Sequence, residues 1–128
     1  MKTVLVVDDE ADAVEFVKAV LEDDETKLVS ARDGELGLKA AREQRPDLVV
    51  LDVQMPKKDG FTVLAELKQD PATSSIPVVM LTAMGATSGV AFSKSDVGEF
   101  IGAEPDAYVE KPVDPATLKA TVARLIGR

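Results

Sequence analysis

Short, uninterrupted apolar runs that alternate with stretches of helical periodicity constrain this chain most. The runs are Val4 to Val7, Leu28 to Val29, Leu48 to Leu51, Val78 to Leu81 and Ala107 to Val109. A run that is apolar throughout, instead of at every second residue, predicts a strand buried on both faces, as in a parallel sheet covered by helices. Between the runs, Val14, Val17 and Leu21 recur at i, i+3, i+7, and Phe61, Leu64 and Ala65 at i, i+3, i+4. Leu118, Val122, Leu125 and Ile126 form a similar stripe near the end. Such spacing places an apolar face along a helix. Arg45-Pro46 and Asp70-Pro71 stop the second and third helices; Asp114-Pro115 starts the last, with Asp as N-cap and Pro at the first helical position. A fourth helix is expected between Ser95 and Ile101, behind a long loop. Five strands alternating with five helices predict a doubly wound α/β fold. With 128 residues, 45% of them apolar, one core and a single domain are expected.

In such sheets ligands sit beyond the carboxyl ends of the strands, where strand order reverses. The residues that follow the runs are therefore informative. Asp8, Asp9 and Glu10 follow the first, Asp52 the third, Thr82 the fourth, and Glu110, Lys111 and Pro112 the fifth. The second ends blandly in Ser30-Ala31-Arg32. Each residue alone has an ordinary structural explanation: an acid before a helix is commonly an N-cap, a Thr a turn residue, a Lys-Pro pair surface punctuation. Together, four strand ends supply carboxylates, a hydroxyl and an amine to one rim, which is the pattern of a binding site.

Composition narrows the chemistry. The chain has no His and no Cys, which excludes disulfides, thiol nucleophiles, imidazole-ligated metals and Ser-His-Asp triads. Twenty-three Asp and Glu against 15 Lys and Arg give a formal charge of -8, which disfavours direct contact with nucleic acid or anionic lipid. Four Phe, one Tyr and no Trp leave little to stack on bases. No apolar run approaches membrane length and the amino terminus does not read as a signal peptide, so a cytoplasmic protein is expected.

Three clustered carboxylates repel one another, by about 4 kcal/mol for a pair 4 Å apart at an effective dielectric of about 20, and call for a cation. Oxygen ligands without imidazole or thiolate select a hard ion, Mg²⁺ or Mn²⁺. Such an ion keeps several waters and takes a phosphate oxygen as a ligand, and a phosphoryl group between metal, Lys111 and Thr82 would be neutralised from three sides. A carboxylate beside a bound cation is also a competent nucleophile for phosphorus, and Asp52, on the central strand, is best placed for that role.

Asp8-Asp9, Leu51-Asp52-Val53-Gln54-Met55-Pro56, Asp59-Gly60, Thr82-Ala83, Tyr108 and Lys111-Pro112 resemble the receiver domain of two-component response regulators along the whole chain. The resemblance implies a flavodoxin-like sheet of order 2-1-3-4-5 and a phosphorylation-dependent switch that is not a turnover enzyme. It implies that Asp52 is the phosphoacceptor and that Asp8, Asp9, Asp52 and the Gln54 backbone carbonyl serve Mg²⁺, with Asp8 acting through water. Lys111 would hold a phosphoryl oxygen, and its bond to Pro112 would be cis. Thr82 and Tyr108 would move on phosphorylation and remodel the face formed by the fourth helix, the fifth strand and the fifth helix, where a downstream protein would bind. The donor would be a histidine kinase or a histidine phosphotransfer protein, a separate partner because this chain has no His.

Two features depart from the family pattern. Positions 82 and 111 are 29 apart, an excess carried by the Gly-, Ser- and Thr-containing stretch 84–95, which reads as a tolerated surface insertion or, alternatively, as a lid or partner-specific contact anchored by Phe92. No output domain is expected after the last helix, which suits a single-domain regulator or an excised receiver. Gln54 and Met84 flank the acceptor and would tune hydrolysis.

Other classes fit less well. A flavodoxin-type electron carrier needs a hydroxyl-rich phosphate loop after the first strand and aromatics around the flavin. A haloacid-dehalogenase-type phosphatase carries a second Asp where this chain has Gln54, and a P-loop hydrolase needs a Gly-Lys-Ser/Thr motif that is absent. A degenerate receiver acting as a phosphorylation-independent interaction module would be expected to lack one of the key residues, and every one is present.

Overall fold

The computed structural model describes residues 2–52, 60–83, 106–111 and 113–126, with backbone alone at 83, 110 and 111. The order is β1 (Lys2–Val7), α1 (Ala11–Leu21), β2 (Thr26–Ala31), α2 (Gly34–Gln44), β3 (Leu48–Asp52), α3 (Gly60–Gln69), β4 (Val78–Ala83), β5 (Ala107–Lys111) and α4 (Pro115–Leu125). The expected helix at 95–101 and the stretch 84–95 lie outside the described residues, so α4 is the helix read above as the fifth.

All five strands are parallel, in the order β2-β1-β3-β4-β5, the flavodoxin-like arrangement that the resemblance implies. Successive side chains of a strand point to opposite faces, so each apolar run feeds two cores. Leu5, Val7, Val49, Leu51, Val78 and Met80 pack against α2 and α3. Val4, Val6, Leu48, Val50, Val79 and Leu81 pack against α1 and α4. Burial of one such side chain is worth about 1.5–3 kcal/mol relative to exposure. That is why the runs contain no polar residue until their carboxyl ends.

The helical stripes follow the same logic, with one shift. Val14, Val17 and Leu21 are buried on α1, and Leu118 and Val122 on α4. On α3 the inward residues are Val63, Leu64 and Leu67, while Phe61 and Ala65 are half-buried. Gly37 of α2 faces β1 so closely that a β-carbon there would come within 2.8 Å of Val7 Cγ1. The helix rests on the strand because that residue has no side chain.

Punctuation acts as the sequence predicts. Asp114 caps α4 by accepting the Thr117 N–H at 2.9 Å, with Pro115 in the first turn. α2 ends at Gln44, and Arg45 adopts the left-handed conformation (φ 46°) before Pro46. The amino-terminal edge of the sheet is tied by side chains. Asp47 Oδ2 accepts the Thr3 N–H at 2.7 Å, and Asp106 Oδ2 accepts both the Val78 N–H at 2.8 Å and Lys68 Nζ at 3.1 Å. These bonds sit at the edge opposite the acidic rim and leave that rim free for chemistry.

Candidate functional site

The parallel register brings the candidate residues named from the sequence to one edge. Val7 stands opposite both Ala31 and Leu51, so Asp8, the next residue, lies level with Asp52 on the adjacent strand. The Asp8 N–H donates to the Ala31 carbonyl at 3.1 Å, which carries the extended backbone one residue beyond β1. Asp52 itself closes β3, opposite Leu81. Thr82 follows Leu81 in β4 opposite Glu110, and Lys111 closes β5 opposite Ala83. β1 and β3 flank the point where the chain reverses direction across the sheet, the position that open α/β sheets use for ligands.

Asp8, Asp9 and Asp52 converge there. One carboxylate oxygen from each lies within 4.8 Å of the other two. Asp8 and Asp52 are 1% and 3% exposed, whereas Asp9 faces solvent. Asp8 also shapes the turn, since its Oδ1 accepts the Glu10 N–H at 3.0 Å. The capping explanation for Asp8 and Asp9 does not describe α1: its N-cap is Glu10, with no side-chain cap. The acids are held at the rim by the sheet, not recruited by the helix.

The donor set fits a hard divalent cation. Mg–O distances of about 2.1 Å imply ligand oxygens about 3 Å apart when adjacent and about 4.2 Å apart when opposite. Three oxygens within 4.8 Å reach that geometry with small rotations, or with a water in place of one direct bond. An all-carboxylate set of this kind has no feature that would select a softer metal.

Thr82 is buried (8% exposed) at the end of β4. Tyr108 stands opposite Met80, and Thr82 lies two positions further along the same strand, so Thr82 and Tyr108 share a sheet face. Tyr108 is half-buried and packs against the core on the α2–α3 side. A displacement at Thr82 is thus one side chain away from the ring. For Lys111 the described structure gives its place as the last residue of β5; Gln54 and the Lys111–Pro112 bond lie outside the described residues.

One feature is absent from the sequence expectations. Phe16 of α1 is 39% exposed and lines an apolar recess with Ala13, Val17, Leu81 and Val113, bordered by Glu10 and Asp12. The available signal was an aromatic residue off the Val14, Val17, Leu21 stripe.

No described helix is long and apolar enough to cross a membrane.

Comparison with known proteins agrees with this geometry. Residues 4–123 match the response regulator receiver domain family. The alkaline phosphatase synthesis transcriptional regulatory protein PhoP of Bacillus subtilis is 39% identical over 127 residues, 99% of this chain and 49% of PhoP. The DNA-binding dual master transcriptional regulator RpaA of Synechocystis is 35% identical over all 128 residues, 50% of RpaA. The chain thus spans about half the length of these relatives. Among solved structures, the chemotaxis protein CheY4 of Vibrio cholerae superposes with a TM-score of 0.81 at 30% identity, covering 98% of both chains. An acidic cluster at the switch point of a 2-1-3-4-5 sheet, and a family match over nearly the whole length, place this chain in the response regulator receiver domain family, the phosphoryl-accepting signalling switches of two-component systems.

Proposed function

We propose that the chain is switched by phosphorylation of Asp52. The observation that carries this reading is the position of Asp52: buried, at the end of the central strand, with its carboxylate beside those of Asp8 and Asp9. A carboxylate oxygen of Asp52 attacks phosphorus in a phosphohistidine of a histidine kinase or histidine phosphotransfer protein. A P–O bond forms as the P–N bond breaks, and the departing imidazole leaves with the bond's electron pair. Asp8, Asp9, Asp52 and the Gln54 backbone carbonyl would hold Mg²⁺, which when bound offsets the negative charge of carboxylates and phosphoryl oxygens. Lys111 holds a phosphoryl oxygen, and Thr82 donates its hydroxyl to another. The apolar recess at Phe16 supports the approach of a donor protein from the α1 side.

Phosphorylation replaces a charge of -1 with one of about -2 and adds three strong acceptors. Thr82 then draws toward the phosphoryl group, and Tyr108 on the same face follows inward. The face around β5 and α4 changes shape and controls a downstream protein. PhoP and RpaA are transcriptional regulators, so a DNA-binding partner domain is one form that output takes among relatives. Incubation with acetyl phosphate and Mg²⁺ tests the reading: the wild type gains one phosphoryl group and Asp52→Asn gains none.

A further inference from the structure

From the edge that β2 presents among the described residues we infer that the β2–α2 edge is a self-association surface, on which a second copy of this chain docks across a two-fold axis. β2 is the terminal strand and pairs on one side, with β1. Its outer edge is a row of backbone donors and acceptors that another strand can satisfy. Beside it runs a groove lined by Val29, Ser30, Arg32, Leu36, Lys39 and Glu43. Leu36, 46% exposed, is one of two large apolar side chains that the described residues leave in solvent, and Val29 is half-buried.

The charge pattern selects the occupant. On α2, Lys39 and Glu43 are both exposed and one helical turn apart. A two-fold axis normal to the sheet runs β2 antiparallel to its copy and α2 antiparallel to its copy on the same face. Lys39 of each chain then meets Glu43 of the other. α2 packs on β1 and β2. Two such helices across a joined edge are separated by about two strand spacings, close to 10 Å, the ordinary distance for packed helices. Ala40 lies between the two charged positions and offers no bulk to oppose that approach. The net charge favours this face as well. The chain carries -8, but residues 26–45 hold five Lys and Arg, of which Arg42 pairs with Asp70 of α3, against three Asp and Glu, so copies meeting here face less acidic repulsion than the whole-chain charge would give.

Sedimentation velocity on the full chain across a concentration series tests the inference, with circular dichroism confirming that each variant is folded. The wild type is expected to move toward twice the monomer mass as concentration rises. Glu43→Lys places like charges opposite one another in both symmetric pairs and weakens the dimer by roughly tenfold. The double variant Lys39→Glu/Glu43→Lys restores complementarity and recovers wild-type association. Three results would each overturn the proposal: a monomer at every concentration up to roughly 1 mM, a dimer insensitive to Glu43→Lys, or a double variant as weak as the single one. An edge suited only to a different acidic peptide gives the first of these.

Discussion

Asp8 and Asp52, both buried at the ends of adjacent strands, hold carboxylate oxygens within 4.8 Å of each other. Two like charges at that distance repel by about 3 kcal/mol at an effective dielectric of about 20. The folded chain keeps this repulsion because strand register, not the acids, decides where the two residues stand. Asp8→Asn, which retains an oxygen for the Glu10 N–H, should therefore raise the thermal midpoint in metal-free buffer. Added Mg²⁺ should stabilise the wild type more than this variant, since a ligand stabilises in proportion to its affinity for the folded state. Differential scanning calorimetry with and without Mg²⁺ measures both effects; a lower midpoint for metal-free Asp8→Asn would contradict the electrostatic argument.

The role proposed for Lys111 predicts that metal binding and phosphoryl transfer can be separated. Lys111→Ala removes a cation from the end of β5, so Mg²⁺ affinity should hold or rise, while the rate of phosphorylation by acetyl phosphate should fall at least tenfold. Calorimetric titration of Mg²⁺ together with the phosphorylation time course distinguishes the two. A collapse of metal affinity would place Lys111 in a different role.

Gly37 and Val7 give a test of packing. A β-carbon at 37 would lie 2.8 Å and 2.9 Å from the two Val7 methyl carbons, and Val7 is buried and stiff about χ1. Gly37→Ala should cost about 1–3 kcal/mol net, although alanine is the better helix former by about 1 kcal/mol. Val7→Ala should absorb part of that cost, so the pair of substitutions should be less than additive in urea denaturation.

Two carboxylates outside the Asp8, Asp9 and Asp52 cluster set part of the acid response. The Ala72 N–H and then the Arg42 guanidinium hold Asp70 below the usual carboxylate range; the Thr117 hydroxyl and N–H do the same for Asp114. A group with a depressed folded-state value contributes stability that is present above the unfolded value, near pH 4, and lost as pH falls through the folded value. Asp70→Asn/Asp114→Asn should therefore flatten the loss of stability below about pH 4. Acid titration followed by circular dichroism checks the slope.

The architecture was legible because it rests on runs such as Leu48 to Leu51, whose continuous apolarity has meaning only for a strand covered on both faces. The acidic rim was legible for a related reason. Asp8, Asp52 and Thr82 interrupt or follow apolar runs where burial alone would favour another Val. What escaped were contacts without a local signature. Gly37 is one glycine among eight until β1 is seen pressed against it. Asp106 looks like a turn residue, yet it receives both Lys68 from α3 and the first N–H of β4. Of the expected α3 stripe of Phe61, Leu64 and Ala65, Leu64 is buried, but Val63 and Leu67 take the other core positions, because short helices admit more than one apolar phase. The relation of Thr82 to Tyr108 required the register of β4 against β5, which spacing along the chain does not encode.

The central claim is that Asp52 accepts the phosphoryl group, and intact-mass spectrometry with peptide mapping after incubation in acetyl phosphate and Mg²⁺ tests it most directly. One added phosphoryl group is expected, located on the peptide containing Asp52 and lost in Asp52→Asn. An unchanged mass for the wild type, or a phosphoryl group retained by Asp52→Asn, would contradict it.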